Sequence, residues 1–297
     1  VITMDKIDAA IARLRTGSLM AERYTGKPMV ITYSGGKDSD VLLHLARRAN
    51  IPIEVSHGLT TVDAPETVRH VKKVFRELEL DGISAHIEFG KYKGKRVTMW
   101  ELIVQKGIPP TRLMRYCCSV FKESHNKGRM IATGVRWQES SARAKRAAYE
   151  ALAPRKEDRI LVNDNDESRR LYEDCRLKGT RVTNPLIDWT DADVWQYIHD
   201  NHICTNPLYG MGYTRVGCVG CPMAGYVARV NEFARWTKYR QAYLHAFERM
   251  LDVRRAKGLQ TDLWHNAEDV MRWWLEDPNV EGQMTMEELI AEGSGEA

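Results

Sequence analysis

Near the N-terminus, a short apolar run leads directly into a pair of glycines: Met29-Val-Ile-Thr-Tyr-Ser-Gly-Gly-Lys-Asp-Ser39. The β-branched and aromatic residues before the glycines predict a strand. Apolar residues then recur at helical spacing from Val41 to Ala49, which predicts a helix. The residues from Ser34 to Ser39 are therefore expected to form a loop between the end of a strand and the start of a helix.

Strand and helix patterns continue to alternate after this loop. Residues 51–57, 83–89 and 130–135 are typical of strands, and residues 64–78 are typical of a helix with one apolar face. Strands separated by helices predict a doubly wound parallel sheet flanked by helices, which belongs to the α/β class. Beyond residue 226, apolar and aromatic residues at helical spacing predict a helical C-terminal region.

These patterns predict two parts of the chain. Residues 1–205 would form an α/β domain, interrupted at 155–180 by a charged insertion or flap, and residues 206–297 would hold a Cys-x-x-Cys loop and the helical region. Near the end of the first part, Thr190 can cap a helix whose acidic first turn, from Asp191, is favoured by the helix dipole. We expect the last dozen residues to be disordered.

The composition is that of an ordinary globular protein, since 43% of the 297 residues are hydrophobic and 28% are charged. No apolar run approaches the roughly 18 residues of a membrane span, and the N-terminus lacks the apolar core of a signal peptide. These observations predict a cytoplasmic protein that does not enter a membrane. The net charge of +4 neither requires nor excludes a nucleic-acid partner.

The predicted loop has the chemistry of an anion site. Gly35 and Gly36 let backbone N–H groups approach a phosphate, and the start of the following helix adds partial positive charge. Lys37 supplies a full charge, the two serines can donate hydrogen bonds, and the Asp38 carboxylate can help to hold Mg²⁺. Taken alone, the glycine pair is also consistent with a tight turn that has no ligand.

Six cysteines are too few for a disulfide scaffold in a chain of this size, and they suggest metal ligands or catalytic thiols. Cys117 and Cys118 are adjacent, and Cys218 and Cys221 form a Cys-x-x-Cys pair. Because neighbouring side chains diverge, an adjacent pair fits a cluster of several irons better than a single tetrahedral zinc. A buried structural pair, a zinc knuckle and a redox dithiol remain open as alternatives.

A basic segment follows the strand predicted at 130–135. Gly134 and Arg136 lie at its end, and Arg143 lies further along the same segment. Because ligands bind at the carboxyl edge of a parallel sheet, these residues are placed to hold a phosphate or sulfate through bidentate arginine contacts. A solvated basic helix is the alternative.

The string Ser-Gly-Gly-Lys-Asp-Ser resembles the signature of the PP-loop family, the N-type ATP pyrophosphatases and the related phosphosulfate reductases. The resemblance covers roughly residues 28–225 and extends to a second nucleotide loop at 60–67. It implies that ATP or an adenylyl-sulfate nucleotide binds at the open edge of the sheet. The nucleotide-binding residues that it implies are Ser34, Gly35, Gly36, Lys37, Asp38, Ser39, Thr60, Gly134, Arg136 and Arg143.

The cysteine pattern carries a second resemblance. A tandem Cys-Cys and a distant Cys-x-x-Cys, downstream of that string, are similar to the arrangement in the [4Fe–4S] adenylyl-sulfate reductases and in the sulfurtransferases of DNA phosphorothioation. The cluster ligands that this implies are Cys117, Cys118, Cys218 and Cys221. The remaining cysteines, Cys175 and Cys204, are expected to be incidental thiols.

One departure from the phosphosulfate reductases bears on the expected activity. Those enzymes carry a nucleophilic cysteine in a short C-terminal tail, whereas this sequence has no cysteine after Cys221. Unless the chain continues, this favours an ATP pyrophosphatase that adenylylates an acceptor for sulfur transfer, with Lys37, Asp38 and Arg136 as catalytic residues.

The resemblance also suggests the reaction partners. It implies DNA as the sulfur acceptor, a cysteine desulfurase as the sulfur donor, and ATP, Mg²⁺ and a [4Fe–4S] cluster as cofactors. The enzyme alternatives are an adenylyl-sulfate or phosphoadenylyl-sulfate reductase that releases sulfite and a tRNA thiolase. A nucleotide-sensing Fe–S binding module without turnover is the alternative outside the enzymes.

Overall fold

The computed structural model describes residues 3–141, 143–152, 160–162, 180–259, 261 and 263–275. They belong to two compact units. The first unit comprises Val1–Gly58, Pro65–Glu88 and Ser124–Val216, and the second comprises Leu59–Ala64, Phe89–Glu123 and Gly217–Ala297. The chain thus passes between the units several times, whereas the sequence patterns place one boundary after residue 205, which stays a prediction.

Two of the sequence expectations concern residues that lie mostly outside these described ranges. Most of the predicted insertion at 155–180, with Cys175, lies outside the described residues. The last dozen residues lie outside them as well.

The described residues form strands β1 (Met29–Thr32), β2 (Ile53–Leu59), β3 (Ala85–Phe89), β4 (Lys91–Tyr92), β5 (Lys95–Arg96), β6 (Met130–Ala132), β7 (Tyr149–Leu152), β8 (Ile160–Val162) and β9 (Thr180–Thr183). Seven of them make one sheet in the order β3-β2-β1-β6-β9-β7-β8. The pairs β1–β2, β1–β6 and β6–β9 are parallel. This confirms the α/β class with a mostly parallel sheet.

One edge of the sheet was not predicted from the sequence. Strand β7 pairs antiparallel with both β8 and β9, so the sheet ends in an antiparallel edge. The short strands β4 and β5 form a separate antiparallel hairpin.

The helices of the described residues are α1 (Met4–Thr25), α2 (Lys37–Arg48), α3 (Pro65–Leu80), α4 (Met99–Lys106), α5 (Tyr116–Phe121), α6 (Asp191–Asp200), α7 (Pro207–Gly210), α8 (Tyr226–Arg235), α9 (Thr237–Ala256) and α10 (Ala267–Leu275). Helix α2 begins directly after the glycine pair, so Lys37, Asp38 and Ser39, which the sequence patterns placed in the loop, form its first turn. In the part of the chain that the structure describes, no helix combines the length and apolarity needed to cross a bilayer.

The core of the first unit lies between the sheet and its helices. Helix α1 packs against β1, β6 and β9, and α2 packs against β1 and α6. Leu14, Ile31 and Leu42 have no exposed surface there. Burying a side chain of this size contributes roughly 1.5–3 kcal/mol, which holds the end of β1 and the start of α2 in a fixed relation.

Aromatic rings form the core of the second unit. The ring of Tyr243 on α9 lies 4.8 Å from that of Trp100, 5.5 Å from that of Phe233 and 4.7 Å from that of Trp274. Helices α4, α8, α9 and α10 are thereby joined around one aromatic cluster. This confirms the predicted helical C-terminal region.

Candidate functional site

The loop between β1 and α2 has a conformation that requires its glycines. Gly35 has a φ of +76°, in the left-handed region that side chains disfavour. A Cβ there would lie 3.0 Å from Val71 Cγ2 and 3.1 Å from Thr67 Cγ2. Ser39 Oγ accepts a hydrogen bond from Gly36 N at 3.1 Å and donates one to Gly36 O at 2.7 Å. The loop therefore keeps its shape through its own residues.

Two cations and two carboxylates meet beside this loop. Lys37 Nζ lies 3.0 Å from Asp191 Oδ1 and 3.4 Å from Asp38 Oδ2. Arg136 donates from Nε to Asp38 Oδ1 at 2.6 Å and from Nη2 to Asp191 Oδ1 at 3.0 Å. We call these four residues the ion-pair cluster. The structure thus brings together the three predicted catalytic residues, Lys37, Asp38 and Arg136, and adds a fourth.

The fourth member, Asp191, was missed as a functional residue because the sequence explained it as part of a helix start. The capping box of α6 uses Asp193 instead, whose backbone N donates to Thr190 Oγ1 at 3.1 Å. Burial opposes ionisation of Asp191, but the nearby Lys37 and Arg136 lower its pKa below the ordinary value. Two acids in one first turn, of which the cap needs only one, was the available signal.

Two polar side chains from the segment after α6 also contact the loop. Tyr209 Oη accepts a hydrogen bond from Lys37 N at 3.0 Å. Asn206 Nδ2 donates to Gly35 O at 2.9 Å and to Thr67 Oγ1 at 3.1 Å. The sequence patterns predicted only an irregular loop here, because nothing local indicates which side chains fold back onto a distant glycine.

A buried hydrogen-bonded triad lies directly behind the loop. Tyr33 Oη donates to Asp40 Oδ1 at 2.5 Å, and His70 Nε2 lies 3.1 Å from the same oxygen. Burial raises the pKa of Asp40, although the hydrogen bond from His70 acts in the opposite direction. The triad joins β1, α2 and α3 and so fixes the backbone on which the loop is built.

The remaining predicted nucleotide-binding residues fall in different places. A Cβ on Gly134 would lie 3.2 Å from the backbone of Asp38, so the segment after β6 passes close to the first turn of α2. Arg143 instead forms an ion pair with Glu139 on a partly exposed turn. Thr60 belongs to the second unit, where its Oγ1 lies 3.4 Å from Cys218 Sγ.

The four predicted cluster ligands all lie in the second unit. Cys117 and Cys118 are in the first turn of α5, and Cys218 forms an isolated β-bridge with Asp63 shortly before Cys221. The pKa of Cys117 is raised by its hydrogen bond to Cys118, by burial, and by the negative charges of Cys118, Cys218 and Cys221. The charges of the other three cysteines therefore act on Cys117.

Two cations face these thiols. Arg115 Nη2 donates to Cys118 Sγ at 3.3 Å. The pKa of Lys122 is raised chiefly by the charge of Cys218, and the charges of Asp63 and Cys118 act in the same direction. Lys122 was missed from the sequence, although it follows Cys118 by four residues; it caps the C-terminus of α5, and its backbone N donates to Cys118 O at 2.9 Å.

The positions of the cysteines do not by themselves define a metal site. Within the described ranges, no three His, Cys, Asp or Glu side chains converge in an arrangement that would hold a metal ion. Four thiols from two segments, with Arg115 and Lys122 to offset thiolate charge, nevertheless match the ligand chemistry of an iron–sulfur cluster. Cys204 is exposed and belongs to the first unit, whereas the four predicted ligands belong to the second.

A mostly parallel sheet with the string Ser-Gly-Gly-Lys-Asp-Ser after its first strand defines a PP-loop protein. The family model of the phosphoadenosine phosphosulfate reductase domain matches residues 28–224, and the chain belongs to this family. Its named members are enzymes that act on adenylyl nucleotides.

Two curated relatives illustrate the range of the family. The chain is 29% identical over 238 residues to an uncharacterized protein of Methanocaldococcus jannaschii. The aligned region covers 78% of this chain and 48% of that protein. It is 31% identical over 188 residues to sulfate adenylyltransferase subunit 2 of Agrobacterium fabrum, and the aligned region covers 61% of this chain and 56% of that protein. The chain spans about half the length of these curated relatives.

Two solved structures are also similar. One is phosphoadenylyl-sulfate reductase from Candida auris in a phosphate complex, with 20% identity, a TM-score of 0.39, and 73% of this chain and 96% of that chain covered. The other is the U34-tRNA thiolase of Methanococcus maripaludis with its [4Fe–4S] cluster, with 12% identity, a TM-score of 0.41, and 85% and 82% covered.

Proposed function

We propose that the chain is an Fe–S-dependent ATP pyrophosphatase that activates an acceptor by adenylylation for sulfur transfer. The observation that carries this proposal is the ion-pair cluster, in which Lys37 and Arg136 hold nearly buried charges beside a glycine loop. Their side chains are 9% and 3% exposed. Buried cations beside a glycine loop at the start of a helix are suited to bind the phosphates of a nucleotide.

The reaction follows from this arrangement. An oxygen of the acceptor attacks the α-phosphorus of ATP, the bond from that phosphorus to the bridging oxygen breaks, and pyrophosphate leaves. Lys37 and the loop N–H groups stabilise the charge that develops on the leaving pyrophosphate, while Arg136 neutralises the α-phosphate. Asp38 would help to hold Mg²⁺, which would supply further positive charge at the phosphates.

The cysteine set supports the sulfur-transfer half of the proposal. Cys117, Cys118, Cys218 and Cys221 would hold a [4Fe–4S] cluster, and such a cluster would supply thiolate-bound iron for sulfur or electron chemistry. Arg115 and Lys122 reduce the cost of gathering four thiolates in one place. DNA as acceptor and a cysteine desulfurase as donor follow from the likeness of the cysteine pattern to that of DNA phosphorothioation sulfurtransferases.

A phosphosulfate reductase is the second candidate, which the match to the reductase domain favours. The two are separated by incubating anaerobically purified protein with ATP and DNA and, in parallel, with each sulfonucleotide and a dithiol reductant. We expect pyrophosphate from ATP and no sulfite from either sulfonucleotide. Release of sulfite would establish the reductase, and nucleotide binding without any product would establish a nucleotide-sensing module.

A further inference from the structure

One atom of the ion-pair cluster bridges both cations. Asp191 Oδ1 lies 3.0 Å from Lys37 Nζ and 3.0 Å from Arg136 Nη2. The same two donors would stabilise an anionic phosphate oxygen in that position, because guanidinium and ammonium groups bind carboxylate and phosphate oxygens alike. The carboxylate of Asp191 thus lies where a ligand oxygen would be bound.

We propose that Asp191 is an internal competitor of the ligand, and that its carboxylate occupies the subsite of one phosphate oxygen between Lys37 and Arg136. A bound ligand must displace it. The inference rests on the proposed phosphate site and deepens it, because it locates one anionic oxygen of the ligand. The ligand class is a phosphate-bearing anion, such as pyrophosphate or a nucleoside triphosphate.

Exposure distinguishes Asp191 from the other carboxylate of the cluster. Its side chain is 53% exposed, whereas that of Asp38 is 23% exposed. Asp191 can therefore turn into water without burying its charge. It also lies in the first turn of α6, where the helix dipole continues to stabilise a negative charge after the ion pairs are broken.

Asp193, two residues further along the same turn, is held quite differently. Its Oδ2 accepts hydrogen bonds from Thr190 N at 2.7 Å and Thr190 Oγ1 at 2.8 Å, and lies 2.6 Å from Lys6 Nζ. These contacts fix Asp193 as a structural cap. Asp191 and Asp193 are therefore two acids of the same turn, and only Asp191 contacts the cations of the phosphate subsite. Asp193 can serve as its matched control.

Release of Asp191 would leave the two cations sharing one carboxylate, that of Asp38. Because Lys37 and Arg136 are almost fully buried, the positive charge left over is unfavourable. Displacement is therefore coupled to the arrival of another anion. The free protein keeps both cations paired and oriented, at the expense of weaker ligand binding.

The test is calorimetric titration of the folded full chain with sodium pyrophosphate, without magnesium and at low salt. We expect Asp191→Asn to bind about tenfold more tightly than the wild type, because the charged competitor is gone. Asp191→Glu keeps the charge and should remain within about threefold of the wild type. Asp193→Asn is the matched control and should leave the affinity unchanged, since Asp193 does not contact the two cations.

Salt gives a second readout that a purely structural role would not change. The advantage of Asp191→Asn should shrink toward zero near 1 M salt, because charges that are half exposed are screened at a Debye length of about 3 Å. Asp191→Ser repeats the comparison with a different neutral side chain, in case the amide variant does not fold.

Three results would overturn the inference. Weaker or unchanged binding by folded Asp191→Asn and Asp191→Ser would show that the carboxylate orients the cations and does not compete. Equal tightening by Asp193→Asn would indicate a general charge effect. Failure of the wild type and all variants to bind pyrophosphate or ATP would instead refute the phosphate site, and the proposed function with it.

Discussion

The two candidate sites differ in how their charges are balanced. Beside the glycine loop, Lys37 and Arg136 are each paired with a carboxylate, so the ion-pair cluster carries no net charge. At the cysteines, the thiols raise the pKa of their neighbour Cys117, and Arg115 and Lys122 offset only part of the charge that four thiolates would carry. The first site is balanced by its own residues, whereas the second would need a bound cation to balance four thiolates.

This difference teaches that the two sites should respond differently to loss of a side chain. At the ion-pair cluster, removal of a cation should weaken ligand binding and removal of Asp191 should strengthen it, while the loop stays folded. A site of four thiols depends on a bound group for its geometry, because metal binding and the ordering of its ligands are coupled. Variants in one unit should therefore leave the function of the other site intact.

The largest effect is expected for Lys37→Ala. Removing a charge that stabilises the leaving pyrophosphate should slow pyrophosphate release from ATP by roughly 10²–10³-fold. A coupled assay for pyrophosphate measures this directly. Lys73→Ala removes an exposed lysine of the same unit and is the control, with an expected rate close to that of the wild type. Iron content should be the same in all three proteins, and a parallel loss of iron in Lys37→Ala would break the separation of the two sites.

Cys218→Ser should lower the iron content and leave the phosphate site unchanged. An alcohol is a poor ligand for iron, so iron and sulfide content and the charge-transfer absorbance of thiolate-bound iron should fall at least about tenfold. Cys204→Ser, at an exposed thiol of the other unit, should retain both. Pyrophosphate binding should be unchanged in both variants. Stoichiometric zinc without iron in the wild type would refute the cluster.

Gly134→Ala tests the close approach at the loop with a smaller perturbation. The new Cβ would lie 3.2 Å from the backbone of Asp38, so Asp38 or the segment after β6 must shift by a few tenths of an ångström. We expect pyrophosphate affinity to fall by about fivefold, since such a shift lengthens the contacts of the ion-pair cluster. Among the described residues nothing lies within 4 Å of a Cβ on Gly210, and Gly210→Ala should bind as the wild type does. Equal affinities in the two variants would contradict this explanation.

The sequence predicted the features that depend on neighbouring residues. The strand, glycine loop and helix from Met29 to Arg48 were predicted because each is set by local spacing and conformation. The α/β class and the family also depend on such local patterns, and the sheet and the family match confirm both. The antiparallel edge formed by β7 was missed, since strand direction within a sheet depends on connections that a local pattern does not contain.

The candidate site shows the same limit. Lys37 and Asp38 are consecutive in the loop, and Arg136 was placed beside them because it follows a strand of a parallel sheet. Asp191 and Tyr209 reach the loop from more than 150 residues away in sequence, as their contacts with Lys37 show. Their residue types also have ordinary structural roles in a helix start and a loop. Tertiary folding gives them their place. The surplus acid in the first turn of α6 was the one local signal for Asp191, and Tyr209 had none.

The smallest effects are expected for the two matching helix caps, one in each unit. Thr190 Oγ1 accepts from Asp193 N at 3.1 Å at the start of α6, and Thr98 Oγ1 accepts from Glu101 N at 3.3 Å at the start of α4. Each threonine hydroxyl also donates to the carboxylate of the same acid, at 2.8 Å in both caps. A change to alanine removes both bonds and should lower the free energy of unfolding by about 1 kcal/mol, measured by urea denaturation. The functional consequences should differ despite equal stability losses. Thr190→Ala loosens the turn that carries Asp191 and should tighten pyrophosphate binding by about twofold, while Thr98→Ala should leave it unchanged. An equal change in both would mean that affinity follows overall stability, and that the two units are not independent in function.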